Sequence, residues 1–156
     1  MDKLFNNSLT IKAQDSWKAR YGLRLRVKTV MVSCLLLDEK ELVCARISAL
    51  LEELGIHCTA MVDIQEGLRF ANANTPDVVL MEASTVPRAK EFLRLMRNQS
   101  RDTGRPVVIL YATSATMSDM GEGILSGASE FMMAPFDVSL LEFKLVQSGV
   151  LAACAA

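Results

Sequence analysis

The sequence predicts a doubly wound α/β fold, a five-stranded parallel sheet with helices on both faces, in three layers α/β/α. Three observations predict it. Short apolar runs without polar alternation recur five times, the pattern of strands buried on both faces. An amphipathic segment of helical period follows each run. The two kinds of segment alternate strictly, and right-handed crossovers of that kind build a parallel sheet.

Ser33–Leu37 reads as the first strand, with Val30 as an alternative start. Residues 40–54 place Leu42, Val43, Ile47, Leu50, Leu51 and Leu54 on one stripe and stop at Gly55, which predicts a helix. Cys58–Val62 reads as the second strand. Asp63 with Glu66 three residues later resembles a capping box and starts a helix through about Asn72. Asp77–Met81 is the third strand, followed by a helix over 88–98 carrying Phe92, Leu93 and Met96. Pro106–Leu110 is the fourth strand. The helix predicted over 117–126 is weakened by Gly121 and Gly123. Glu130–Met133 is the fifth strand, and Val138–Gln147 the last helix, with Leu140, Leu141, Phe143 and Leu145.

A chain of 156 residues, 51% apolar and 22% charged, suffices for one domain with a core of its own. With 4 prolines and 8 glycines it is neither collagenous nor of low complexity. Its longest nearly unbroken apolar run, Thr29–Leu37, is about half of what a membrane-spanning helix needs. Basic residues ahead of that run and Cys34 within it resemble an export signal, but the apolar stretch is short and acids follow at once. Export is therefore not expected, and a cytoplasmic location is. Cys34, Cys44, Cys58 and Cys154 show no metal-ligand spacing, so buried free thiols are expected.

The net charge of −1 hides an asymmetry. Residues 1–28 hold seven basic and two acidic side chains, and the remainder ten basic and sixteen acidic. The expected division is a basic N-terminal extension over 1–28, a globular domain over 29–148 and an Ala-rich tail over 149–156. Trp17 and Tyr21 interleave with Lys18, Arg20 and Arg24, so the extension suits contact with an acidic partner, nucleic acid or anionic lipid.

In a doubly wound sheet ligands bind beyond the carboxyl ends of the strands. The residues there are Asp38 and Glu39, Glu82, Tyr111 and Ala112, and Ala134 with Pro135. No phosphate-binding glycine loop and no Ser/His/Asp set occurs. Three carboxylates are expected to converge with no cation beside them. Asp38 and Glu39 also suit the first turn of a helix, where acids favour the macrodipole without any metal.

The strings LLLDEKE (35–41), ALLEELGIHC (49–58), TPDVVLME (75–82), RPVVILYA (105–112) and SGASEFMMAPF (126–136) stand in the order found in a bacterial response-regulator receiver domain. Residues 29–148 resemble that CheY-like family, and the resemblance implies a flavodoxin-like sheet. It also implies paired acids that hold Mg²⁺, an aspartate that accepts a phosphoryl group, and a lysine and Ser/Thr that read its presence. The acid pair persists as Asp38 and Glu39. The acceptor position holds Glu82, one methylene too long; the lysine position holds Ala134; the Ser/Thr position falls on Tyr111 or Ala112. A carboxylate misplaced by about 1 Å loses on the order of 100-fold in rate, and losing a charge-assisted donor costs a similar factor.

The resemblance with these departures implies a degenerate pseudo-receiver that is not an enzyme and needs no cofactor. Asp38, Glu39 and Glu82 could attract Mg²⁺ weakly. It would act through protein contact in two-component or phosphorelay-type signalling, through the last helix and fifth strand, with Phe131, Met133, Phe136, Leu141 and Lys144 as candidates. Pairing of two copies is also open. A phosphorylatable regulator with relaxed chemistry is the alternative. The phrase VLMEAST…GASEFMMAPF is moreover similar to the atypical receiver-like domain of pilus-localisation proteins of the tight-adherence (CpaE/TadZ) type, which points to an adaptor using its basic arm.

Overall fold

The computed structural model describes residues 31–84, 86–99 and 105–152. The basic extension over 1–28 lies outside these residues. The elements run β1 (Ser33–Leu37), α1 (Glu41–Glu53), β2 (His57–Met61), α2 (Ile64–Asn74), β3 (Val78–Glu82), α3 (Val86–Gln99), β4 (Val107–Ala112), α4 (Met117–Leu125), β5 (Glu130–Met133) and α5 (Val138–Gln147). All five strands are parallel, in the order β2-β1-β3-β4-β5. That is the flavodoxin-like order of the CheY fold.

Alternation along the strands splits the core between two faces. Leu35, Leu37, Val79, Met81, Val108 and Leu110 pack with Leu68, Phe92 and Met96 of α2 and α3. Leu36, Val78, Leu80 and Ile109 pack with Ile47 and Leu51 of α1 and Leu141 and Leu145 of α5. Central strands buried on both sides explain why their sequence is continuous rather than alternating.

Several local features differ from the sequence reading. Leu42, expected on the buried stripe of α1, is 88% exposed, because only Ile47 and Leu51 of that helix are fully covered. Leu140 and Phe143 of α5 likewise face outward. β3 and β4 each reach further than expected, to Glu82 and Ala112, because the ladder pairs Glu82 with Tyr111 and Ala112 with Met133.

The glycines of α4 do not prevent the helix. Thr116 and Asp119 cap it reciprocally, Thr116 Oγ1 accepting from the Asp119 amide at 3.1 Å and Asp119 accepting from the Thr116 amide at 2.8 Å. A Cβ at Gly123 would stand 2.9 Å from Leu110 Cδ1, so glycine there permits close packing on β4. In α2 the Asp63 carboxylate accepts from the Glu66 amide at 2.9 Å, and the helix runs to Asn74. Val150 and Leu151, in the expected tail, pack against the α1/α5 side of the core.

Candidate functional site

The order of strands reverses between β1 and β3, so a crevice opens beyond their carboxyl ends. Leu36, Leu80, Ile109 and Met132 all point to the α1/α5 face. Two residues further along each chain, Asp38, Glu82, Tyr111 and Ala134 come to the same side. They line one cavity of about 200 Å³, with Val43 and Ile47 of α1 and Phe136. Tyr111 is the register partner of Glu82 and lines the cavity, as does Thr113, whereas Ala112 does not.

Asp38 is the one charged residue that is buried among the described residues, with 3% of its surface exposed. Burying a carboxylate costs several kcal/mol unless hydrogen bonds replace its water. Two do so here. Tyr111 Oη donates to Oδ2 at 2.5 Å, and the Lys40 amide donates to Oδ1 at 2.8 Å. Asp38 is therefore not the cap of α1; that position belongs to Lys40, whose side chain makes no capping bond. Tyr111 is itself 1% exposed and meets Phe136 edge-to-face, with ring centroids 5.7 Å apart. Burial, followed by the hydrogen bond to Asp38 and its charge, pushes the Tyr111 phenol far above its ordinary range.

Glu82 and Glu39 are engaged elsewhere. The Glu82 carboxylate folds back onto the loop after β3, accepting from the Ser84 amide at 2.7 Å and from Ser84 Oγ at 3.0 Å. Glu39 points out of the cavity and pairs with Arg88 of α3, whose Nη1 lies 2.8 Å from Oε1. The second Arg88 nitrogen donates to the Val62 carbonyl at 2.8 Å. The expectation of three acids without a nearby cation is thus corrected: Arg88 supplies one. A serine two residues after a strand-end carboxylate is a turn signal that the sequence offers. The Arg88 contact spans 49 residues and has no local signal.

Mg²⁺ asks for a near-octahedral set of oxygens. Among the described residues no group of three His, Cys, Asp or Glu side chains stands close enough to hold a metal ion. Asp38, Glu39 and Glu82 each accept a hydrogen bond within the domain, from Tyr111, Arg88 and Ser84 respectively, so a Mg²⁺ held by these oxygens would have to share or displace those contacts.

The candidate interface residues separate into different environments. Phe136 and Leu141 are buried in the α1/α5 core, which corrects their assignment to a docking face. Phe131 is half-buried against the opposite side of the sheet. Lys144 is half-buried and bound to Glu130, Nζ to Oε2 at 2.8 Å. Only Met133 is exposed.

The same fold occurs in known receivers. CheY4 of Vibrio cholerae superposes with a TM-score of 0.67 at 23% identity, covering 76% of this chain and 98% of its own. The receiver domain of a sensor histidine kinase from Pseudomonas aeruginosa, with magnesium in its active-site cleft, gives 0.65 at 23% identity over 75% of this chain and 96% of its own. In sequence, the heme response regulator HssR of Staphylococcus epidermidis is 24% identical over 115 residues, 74% of this chain and 50% of the relative. The chain thus spans about half the length of that curated relative. No protein-family model matches the chain.

In fold, and more distantly in sequence, the chain is thus similar to response-regulator receiver (CheY-like) domains. Receivers of this fold engage protein partners and can pair: yeast Ssk1 is known bound to Ypd1, and NtrC4 as an activated dimer.

Proposed function

We propose that this domain is a pseudo-receiver that signals by binding a protein partner and does not undergo ordinary phosphoryl transfer. The observation that carries the reading is the buried Tyr111–Asp38 hydrogen bond. It places a phenol where the family has a small hydroxyl and uses an oxygen of the acid that would otherwise bind metal. Glu82 and Ala134 add to it. The first is tied to Ser84 and the second offers no cation to a transferred phosphoryl group.

The surface best suited to a partner lies on the elements at the β5 end of the sheet. Met117, Ile124 and Leu125 of α4, Met133 of β5, and Leu140 and Phe143 of α5 are all exposed large apolar residues. These replace Phe136 and Leu141 as the proposed contacts. No helix of the described residues is long and apolar enough to cross a membrane, which suits a partner met in the cytoplasm. A pilus-assembly partner of the tight-adherence type, reached with the help of the basic extension, is one such partner.

Incubation with Mg²⁺ and acetyl phosphate, read by intact mass, tests the reading. No phosphoryl adduct is expected. A stoichiometric, base-labile adduct on Glu82 would establish the phosphorylatable alternative instead.

A further inference from the structure

Two cysteines outside this site stand side by side. Cys34 of β1 and Cys58 of β2 are register partners in adjacent parallel strands, and both pack on the α1/α5 side. Neighbouring strands run about 4.8 Å apart, which falls inside the Cα separation of about 4.4–6.8 Å that a disulfide spans. β2 is the edge strand, so Cys58 is only half-buried, whereas Cys34 is covered completely. Ser48 of α1 donates from Oγ to Cys58 Sγ at 3.5 Å.

We propose that this pair is a redox modification site, in which Cys58 reacts with a hydroperoxide and Cys34 resolves the product into a disulfide joining β1 to β2. The environments assign the two roles. Hydrogen bonding from Cys34, aided by Ser48 and opposed by burial, pulls the Cys58 thiol down to about 7. The same contact and its own burial push Cys34 well up. The Cys58 thiolate is therefore the nucleophile. Cys44 does not compete, because burial and the charge of Asp38 raise its thiol and its Sγ donates to the Asp38 carbonyl at 3.6 Å.

The Cys58 thiolate attacks one peroxide oxygen and the O–O bond breaks. Cys58 becomes a sulfenic acid, and the departing oxygen leaves as water, or as an alcohol from an organic peroxide, after taking a proton. Cys34 then attacks the Cys58 sulfur, expelling the sulfenic oxygen as water with the Cys34 proton. Two thiols are oxidised and one peroxide is reduced. The bond closes a loop holding Asp38 and all of α1, so oxidation ties the crossover that carries the buried acid to the sheet edge.

The test uses the full chain carrying Cys44→Ser and Cys154→Ser, treated with hydrogen peroxide. The expected product has lost two hydrogens, is restored by dithiothreitol, and yields a Cys34–Cys58 linked peptide. Adding Cys34→Ser should leave a dimedone-reactive sulfenic acid on Cys58, and adding Cys58→Ser should abolish both products. Iodoacetamide should alkylate Cys58 of the unsubstituted chain with a midpoint near pH 7. Should a variant fail to fold, peptide mapping of the peroxide-treated unsubstituted chain reads the same linkage. Absence of that link, a link to another cysteine, or a Cys58 midpoint near the ordinary value of about 8.5 overturns the proposal.

Discussion

At the β1/β3 switch point the three carboxylates expected to converge without a cation are each held by a neighbour, Asp38 by Tyr111, Glu39 by Arg88 and Glu82 by Ser84. Along α4, β5 and α5 the opposite holds, with Leu125 86% exposed and Phe143 53% exposed. The carboxylates of the first region are each hydrogen-bonded within the domain. The apolar groups of the second remain exposed among the described residues, and apolar area left in water is free energy available to an association. The contrast separates a crevice whose carboxylates are bonded within the domain from a surface whose large apolar side chains stay exposed.

Truncating each region should break the comparison most sharply. Tyr111→Ala empties a fully buried aromatic site and leaves Asp38 short of a donor, so a loss of about 3–5 kcal/mol is expected in chemical denaturation. A loss below about 1 kcal/mol would mean that the crevice is not architectural.

The next effect isolates the hydroxyl. Tyr111→Phe keeps the ring but removes the bond to Asp38, and should cost about 1–3 kcal/mol at neutral pH. The pH dependence follows from the raised phenol. Tyr111 in the unfolded chain ionises near pH 10 while the folded residue keeps its proton. Above that pH the folded state therefore binds more protons, and stability falls as pH rises. The slope approaches about 1.4 kcal/mol per pH unit. The wild-type minus Tyr111→Phe difference should be level below about pH 9 and shrink above pH 10. A difference that grows with alkalinity would contradict the buried phenol.

The smallest effect on stability belongs to the outer surface. Phe143→Ser combined with Met133→Ser should alter unfolding by no more than about 0.5 kcal/mol per site. The pair should nevertheless weaken partner binding or self-association, read by analytical ultracentrifugation or pull-down with a candidate partner. Binding that survives both substitutions would place the contact elsewhere on the domain.

Much of this contrast was legible in the sequence. Apolar runs gave five strands within two residues of their observed ends, because a strand buried on both faces carries its own local pattern. The convergence of Asp38, Glu82, Tyr111 and Ala134 was also legible, since a parallel sheet brings its strand ends to one edge. The outward face of the helices was less so. In α1, Leu42 fits the apolar stripe as well as Val43 does, yet it is 88% exposed. In α5, Leu141 and Leu145 turn inward while Leu140 and Phe143 do not. Periodicity defines a stripe, but the neighbouring helix and sheet decide how much of it is covered.

The sequence by itself determined the architecture and which residues stand at the strand ends that line the crevice: Asp38, Glu82, Tyr111 and Ala134. Tertiary structure alone decided what those residues do to one another. Tyr111 reaches Asp38 across 73 residues, Arg88 reaches Glu39 across 49, and Cys58 comes to lie beside Cys34 through strand register. Composition and spacing record what each segment prefers within a few turns of chain. Which charge meets which donor depends on rotamers and packing that exist only once the layers have closed.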